Sequence, residues 1–161
     1  MTKQQFLRRV NASWAMRLFL FRKLPAAWFM GIGVRSCNEE RAIVSLPYGW
    51  RSQNPFRSSY FAAQCAAGEL STGLLCLVHL QEQPPVSMLV TRMEAQFFKK
   101  ADQTLFFSCA AGTEVARLIQ TVVETGEAQS ISMVSEGRLP DDQLAARVEI
   151  TWSFKAKKKR D

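Results

Sequence analysis

Apolar positions recur along this chain with two different periods, and the changes between them predict the order of its elements. Over residues 4–23, QQFLRRVNASWAMRLFLFRK, apolar side chains fall at helical spacing among arginines, which predicts one amphipathic N-terminal helix. Trp14, Leu18, Phe21 and Leu24 are the residues expected to dock it on the rest of the molecule. Pro25 ends that helix, because proline has no backbone donor and restricts the residue before it. Beyond the Gly31-Ile-Gly33 turn, 34–37 and 41–46 read as two strand pieces around the polar corner Asn38-Glu39-Glu40. Pro47, Gly49 and Pro55 punctuate the loop 47–58.

From Ser59 to about Leu80 no proline follows, and Ser58 and Ser59 are good N-caps, so a long helix is predicted. Ala62, Ala63, Ala66, Ala67 and Gly68 make its first half thin, as suits a buried helix that a sheet approaches closely. Gly68 and Gly73 each cost about 1 kcal/mol of helix propensity relative to alanine, which packing must recover. Pro84-Pro85 ends the connection. Runs 86–98 and 103–111 then read as strands separated by the polar turn 99–102, and 128–135 and 145–154 as two more. Residues 113–125 carry Val115, Leu118, Ile119 and Val122 at helical spacing, although their β-branched content leaves a strand open. Strands without interleaved helices predict an antiparallel sheet, and one thin central helix predicts that the sheet wraps around it, an α+β class.

At 161 residues the chain suits a single domain, 1–161, with 1–30 as an N-terminal helical segment and 155–161 as a basic tail. Its 47% apolar and 22% charged residues are ordinary for a folded protein and exclude a disordered one. Cys37, Cys65, Cys76 and Cys109 are widely spaced and His79 is the only histidine, which argues for reduced packing thiols, a cytoplasmic setting and no metal site. The net charge of +7 comes in good part from the two ends: no acid precedes Glu39, whereas 155–160 is nearly all lysine and arginine. Nucleic-acid binding is not expected, since no basic motif interleaved with aromatics appears. An interfacial membrane helix or a transit peptide over 5–30 is the less favoured reading beside a docked helix, and 60–80 does not read as a membrane span.

The residues that could carry chemistry lie between Asn54 and Glu69. They set a loop asparagine before a helix start and a carboxylate near the middle of a buried helix. A desolvated carboxylate has a raised pKa, which is how a base or nucleophile is poised near neutral pH. Backbone N–H groups around Ser59, Tyr60 and Phe61 could hold an oxyanion, and Gln64 could orient water if a cleft wraps its side. Spacing alone leaves open a surface glutamate or one paired with an arginine. His79 and Cys65 read as packing residues.

This run, with fifteen residues from asparagine to acid and Tyr60 between, resembles the loop and central helix of hotdog-fold thioesterases, most closely their thioesterase-like (DUF4442-type) group. Ala95-Gln-Phe-Phe-Lys-Lys-Ala101 is similar to a strand and turn of that superfamily, and 16–33 to the leading helix of the group. The resemblance covers about 14–156. It implies a homodimer or dimer of dimers with sites at the subunit interface. It also implies an acyl-CoA or acyl-carrier thioester as substrate, with coenzyme A entering only as part of it. Glu69 would then be the base or nucleophile and Asn54 would position thioester or water, while Arg57, Lys99 and Lys100 would meet phosphates. Two departures stand out: Arg57-Ser58-Ser59 replaces glycine-rich residues before the helix, and no proline follows Lys100. A non-catalytic acyl-CoA- or lipid-binding module of the same fold is the alternative.

Overall fold

The thin apolar run forms helix α4, Phe61–Leu80, in a computed structural model that describes residues 1–157. The end of the basic tail, 158–161, lies outside the described residues. Around α4 curls one antiparallel sheet of β1 (Gly33–Cys37), β2 (Ala42–Leu46), β3 (Val86–Phe97), β4 (Leu105–Cys109), β5 (Gln129–Arg138) and β6 (Leu144–Ala156), in the order β1-β2-β4-β5-β6-β3. This is the hotdog architecture. Strand alternation sends Val44, Leu46, Phe107, Val148 and Ile150 to the buried side. By length and composition α4 could cross a membrane, but here most of it is buried inside the protein.

Small residues on α4 set how near the sheet comes. A Cβ at Gly68 would lie 2.9 Å from Cβ of Val148 on β6. Gly68→Ala is therefore expected to cost about 1–3 kcal/mol by overpacking, net of the propensity that alanine restores, as read from urea unfolding midpoints. Two buried polar contacts fix the rotation of the helix: the Ser71 and Ser135 hydroxyls meet at 2.7 Å, and Trp152 Nε1–H donates to Thr72 Oγ1 at 2.9 Å. Neither leaves a polar group stranded in the apolar core.

The run 113–125, for which a strand stayed open, is helix α5, Gly112–Thr125, closed by Gly126 in the left-handed conformation at φ 74°. Its start leans on the Asn38–Glu40 corner, where Gly112 N–H donates to Glu40 O at 3.1 Å. Glu39 O also accepts from His79 Nε2 at 2.8 Å, and the Glu39 carboxylate pairs with Lys3 at 2.9 Å. His79 is thus a buried, satisfied helix-end residue.

Three corrections concern the helices. The segment 4–23 is not one helix but α1 (Lys3–Asn11) and α2 (Ser13–Lys23), broken at Ala12, which is extended at φ −83°, ψ 105°. The cause lies next door: the Asn11 amide donates to Cys37 O and accepts from Cys37 N, giving edge strand β1 the partner it lacks there. As expected, α2 ends before Pro25, which also starts a short helix, α3 (Pro25–Phe29), from its first position, where a missing N–H costs nothing. The break resets the helical phase, so the inward residues are Val10, Met16, Leu20 and Ala27. Trp14, Leu18, Phe21 and Leu24, expected to dock, face outward. Finally, α4 begins after Tyr60 with no side-chain cap; Ser58 and Ser59 belong to the loop before it.

Candidate functional site

On α4, the residues left short of full burial beyond the exposed Phe61 share one side: Ala62, Cys65, Ala66, Glu69, Leu77 and Leu80 fall within about a third of the circumference at 3.6 residues per turn. Glu69 sits at the middle of this open stripe. Among the described residues its carboxylate has no cation within 4 Å and no side-chain hydrogen bond, and burial raises its pKa above the usual glutamate range. One turn on, Gly73 leaves space that Glu69 Oε1 and the Trp152 ring both border; a Cβ there would be 3.5 Å from the first and 3.3 Å from the second. The bare aromatic edge supplies low dielectric and no donor, so the carboxylate is desolvated without compensation. Trp152 and Gly73 were not singled out as site residues from the sequence. The i+4 spacing of Gly73 from Glu69 was the available signal.

The loop before α4 is organised by Asn54. Its Oδ1 accepts from Phe56 N, Ser58 N and Ser58 Oγ at 3.0–3.2 Å, and its amide NH2 has no hydrogen-bond partner among the described residues. Arg57 holds a left-handed φ of 56°, the conformation that glycine would adopt without strain, so the loop keeps a glycine-like path through an arginine. Of the expected oxyanion donors, two are already engaged: Ser59 N–H donates to Ala101 O at 2.6 Å and Tyr60 N–H to Ser52 O at 2.7 Å. Phe61 and Ala62 begin the helix with no backbone acceptor for their N–H groups among the described residues.

Gln64 is buried and lies five residues from Glu69, about 140° around the helix. Its Nε2 donates to Ser59 O at 3.1 Å. The structure therefore places it under the loop and not beside the carboxylate. Its Oε1 and Ser59 Oγ are buried without a protein partner. The Ser59–Ala101 bond draws the β3–β4 turn against this loop, so exposed Lys99 and Lys100 stand at the same end of the molecule as exposed Arg57. Cys65 is half-buried and burial pushes its thiol pKa up, as it does for Cys37, to about 11, which suits packing. No cluster of three metal-binding side chains occurs among the described residues.

Two further features border the open stripe. An apolar cleft of about 560 Å³ runs between α1, α2 and the Leu74 and Leu77 side of α4. Strand β3 is a sheet edge of twelve residues that leaves Leu89, Met93 and Phe97 well exposed, with Phe61 of α4 edge-on to Phe97 at 6.5 Å.

None of the curated proteins compared with this chain matches it. Among solved structures, a protein of unknown function from Chlorobaculum tepidum superposes with TM-score 0.78 at 14% identity, over 97% of this chain and 98% of that one. A Pseudomonas aeruginosa protein of unknown function, called "Probable Thioesterase", gives TM-score 0.73 at 14% identity, covering 88% and 95%. A Staphylococcus aureus thioesterase gives 0.58 at 15% identity, covering 78% and 94%. Likeness at these identities carries the fold. The family known as domain of unknown function DUF4442 matches residues 12–154, from α2 nearly to the end of β6, and the chain belongs to that family.

Proposed function

We propose that the protein hydrolyses an acyl thioester, carried on coenzyme A or an acyl carrier, at two equivalent sites of a homodimer. The observation that carries this reading is Glu69, a desolvated carboxylate with no cation beside it among the described residues, held on the open side of the central helix. Such a group costs stability and serves no packing purpose, as expected of a base. Spacing adds support. Solved variants of the Staphylococcus aureus protein replace a glutamine and, fifteen residues further on, a glutamate; Asn54 and Glu69 stand at the same separation.

Glu69 takes a proton from water as the water oxygen bonds to the thioester carbonyl carbon. The carbonyl oxygen gains the charge and meets the Phe61 and Ala62 N–H groups at the positive end of α4, with the Asn54 NH2 as a further donor. Collapse breaks the C–S bond, and the leaving sulfur takes the proton from Glu69. Acid and thiol depart.

Within one chain, Phe61 and Glu69 are eight residues apart, roughly 12 Å along the helix, too far to act on one carbonyl. The acid of one subunit must then face the helix start of the other. Pairing of the β3 edges across a twofold axis supplies that arrangement and covers Met93 and Phe97. Arg57, Lys99 and Lys100 meet the carrier's phosphates, and the cleft beside Leu77 takes the acyl chain.

A panel of acyl-CoAs of increasing length, read by a chromogenic thiol reagent, tests the reading; release above the uncatalysed rate for at least one chain length is expected. Met93→Lys combined with Phe97→Lys should give a monomer by light scattering that has lost turnover. A folded monomer with undiminished turnover refutes the shared site. The engagement of Ser59 and Tyr60 N–H within the loop favours, as a second reading, an acyl-CoA-binding module: saturable binding with no thiol release across the panel would establish it.

A further inference from the structure

We infer that the protein docks on an anionic lipid bilayer through the outer face of α2 and α3. The core needs of these helices are met by Met16, Leu20 and Ala27, yet they turn a second set of large apolar side chains outward. Trp14 is 75% exposed, Phe21 52% and Phe29 49%, with Leu18 and Trp28 beside them. These are not isolated. Phe21 packs edge-on to Trp28 with ring centroids 5.1 Å apart, and Phe29 edge-on to Trp50 at 5.7 Å, Trp50 being itself 74% exposed. The two pairs, adjacent through Trp28 and Phe29, make an aromatic ridge that no described residue covers.

Charge selects the occupant. Arg8, Arg9, Arg17, Arg22 and Lys23 flank the ridge, none of them in an ion pair among the described residues, and no acid occurs before Glu39. A second copy docking through this face about a twofold axis would set the same cations against one another, and α2 and α3 carry no acid to offset them. A bilayer bearing anionic headgroups meets both halves of the surface. Tryptophan and phenylalanine enter the headgroup–acyl boundary, while lysine and arginine keep their stems along it and their charges at the phosphates. The basic tail is not required for this surface.

The test is co-sedimentation of the full chain with phosphatidylcholine vesicles, with and without 30% phosphatidylglycerol. Binding is expected with the anionic vesicles, with a partition coefficient that falls at least tenfold between 50 and 500 mM salt. Tryptophan emission should shift to the blue on binding, since three of the four tryptophans are at the surface. Phe21→Ser with Phe29→Ser should lower partition about tenfold while leaving hydrolysis of a short, water-soluble acyl-CoA unchanged, and Glu69→Gln should bind vesicles as the parent does. Those two variants separate this inference from the catalytic reading. Failure to sediment with anionic vesicles overturns it, as does equal binding to neutral ones or an unchanged partition in the double variant. A fall in oligomer mass in Phe21→Ser/Phe29→Ser also overturns it, because the face would then be a contact between copies.

Discussion

Glu69→Gln is expected to abolish thiol release, by a factor of about 10²–10⁴, while making the folded protein more stable at neutral pH. The first effect follows from removing the proposed base, within the range that a positioned proton acceptor contributes. The second follows from the sign of the pKa shift. Burial raises the folded-state pKa above the unfolded value, so the folded protein binds this proton more tightly. Ionisation of Glu69 therefore costs stability as pH rises through the folded pKa, and the cost is absent below the unfolded pKa. The neutral isostere escapes it. The melting temperature of the variant should exceed the parent's at pH 7, and the gap should close near pH 4. Turnover by the parent should fall toward acid with a midpoint above that of an exposed glutamate. An active Glu69→Gln protein ends the catalytic proposal, and a destabilised one would mean that the carboxylate has a structural partner.

For stability, the largest single effect is expected at Gly112→Ala. A Cβ there would stand 1.9 Å from Glu39 O and 2.6 Å from Glu40 Cα, and both neighbours are backbone. The Glu39–Glu40 corner cannot yield freely, because its carbonyls bond His79 and Gly112 and the Glu39 side chain pairs with Lys3. The start of α5 must move away instead, which disturbs Val115 and Ile119 in the core. The loss should be about 3 kcal/mol or more, the upper range for overpacking. Gly49→Ala, where a Cβ meets nothing within 4 Å, is the control and should change the urea midpoint little. Equal midpoints for the two variants would show that the corner is softer than its hydrogen bonds suggest.

Much of the fold was readable because periodicity and punctuation agree along most of the chain. Strand and helix bounds fell within a few residues of the observed ones wherever proline, glycine or a polar corner marked the change, as at Pro84-Pro85 or Asn38–Glu40. The N-terminal helix was the failure. Its break at Ala12 has no breaker residue, since the cause is Asn11 reaching the edge of β1, twenty-six residues away. The same contact reversed which aromatic residues face out. At the site, Asn54 and Glu69 could be named as candidates from a loop asparagine before a thin helix with a carboxylate at its middle, and from the family resemblance of that run. That Ser59 and Tyr60 had spent their N–H groups on Ala101 and Ser52 could not.

By itself, then, the sequence determined the α+β order, the thin central helix and the carboxylate at its middle, because these rest on local residue choice: alanine and glycine runs, alternation, and the placing of prolines. Tertiary structure decided that Glu69 stands unpaired among the described residues on the open side near Trp152, that Gln64 is turned under the loop, and that the aromatic faces of α2 and α3 point outward. Each of these depends on which distant backbone group a side chain meets first, and residue periodicity carries no record of that.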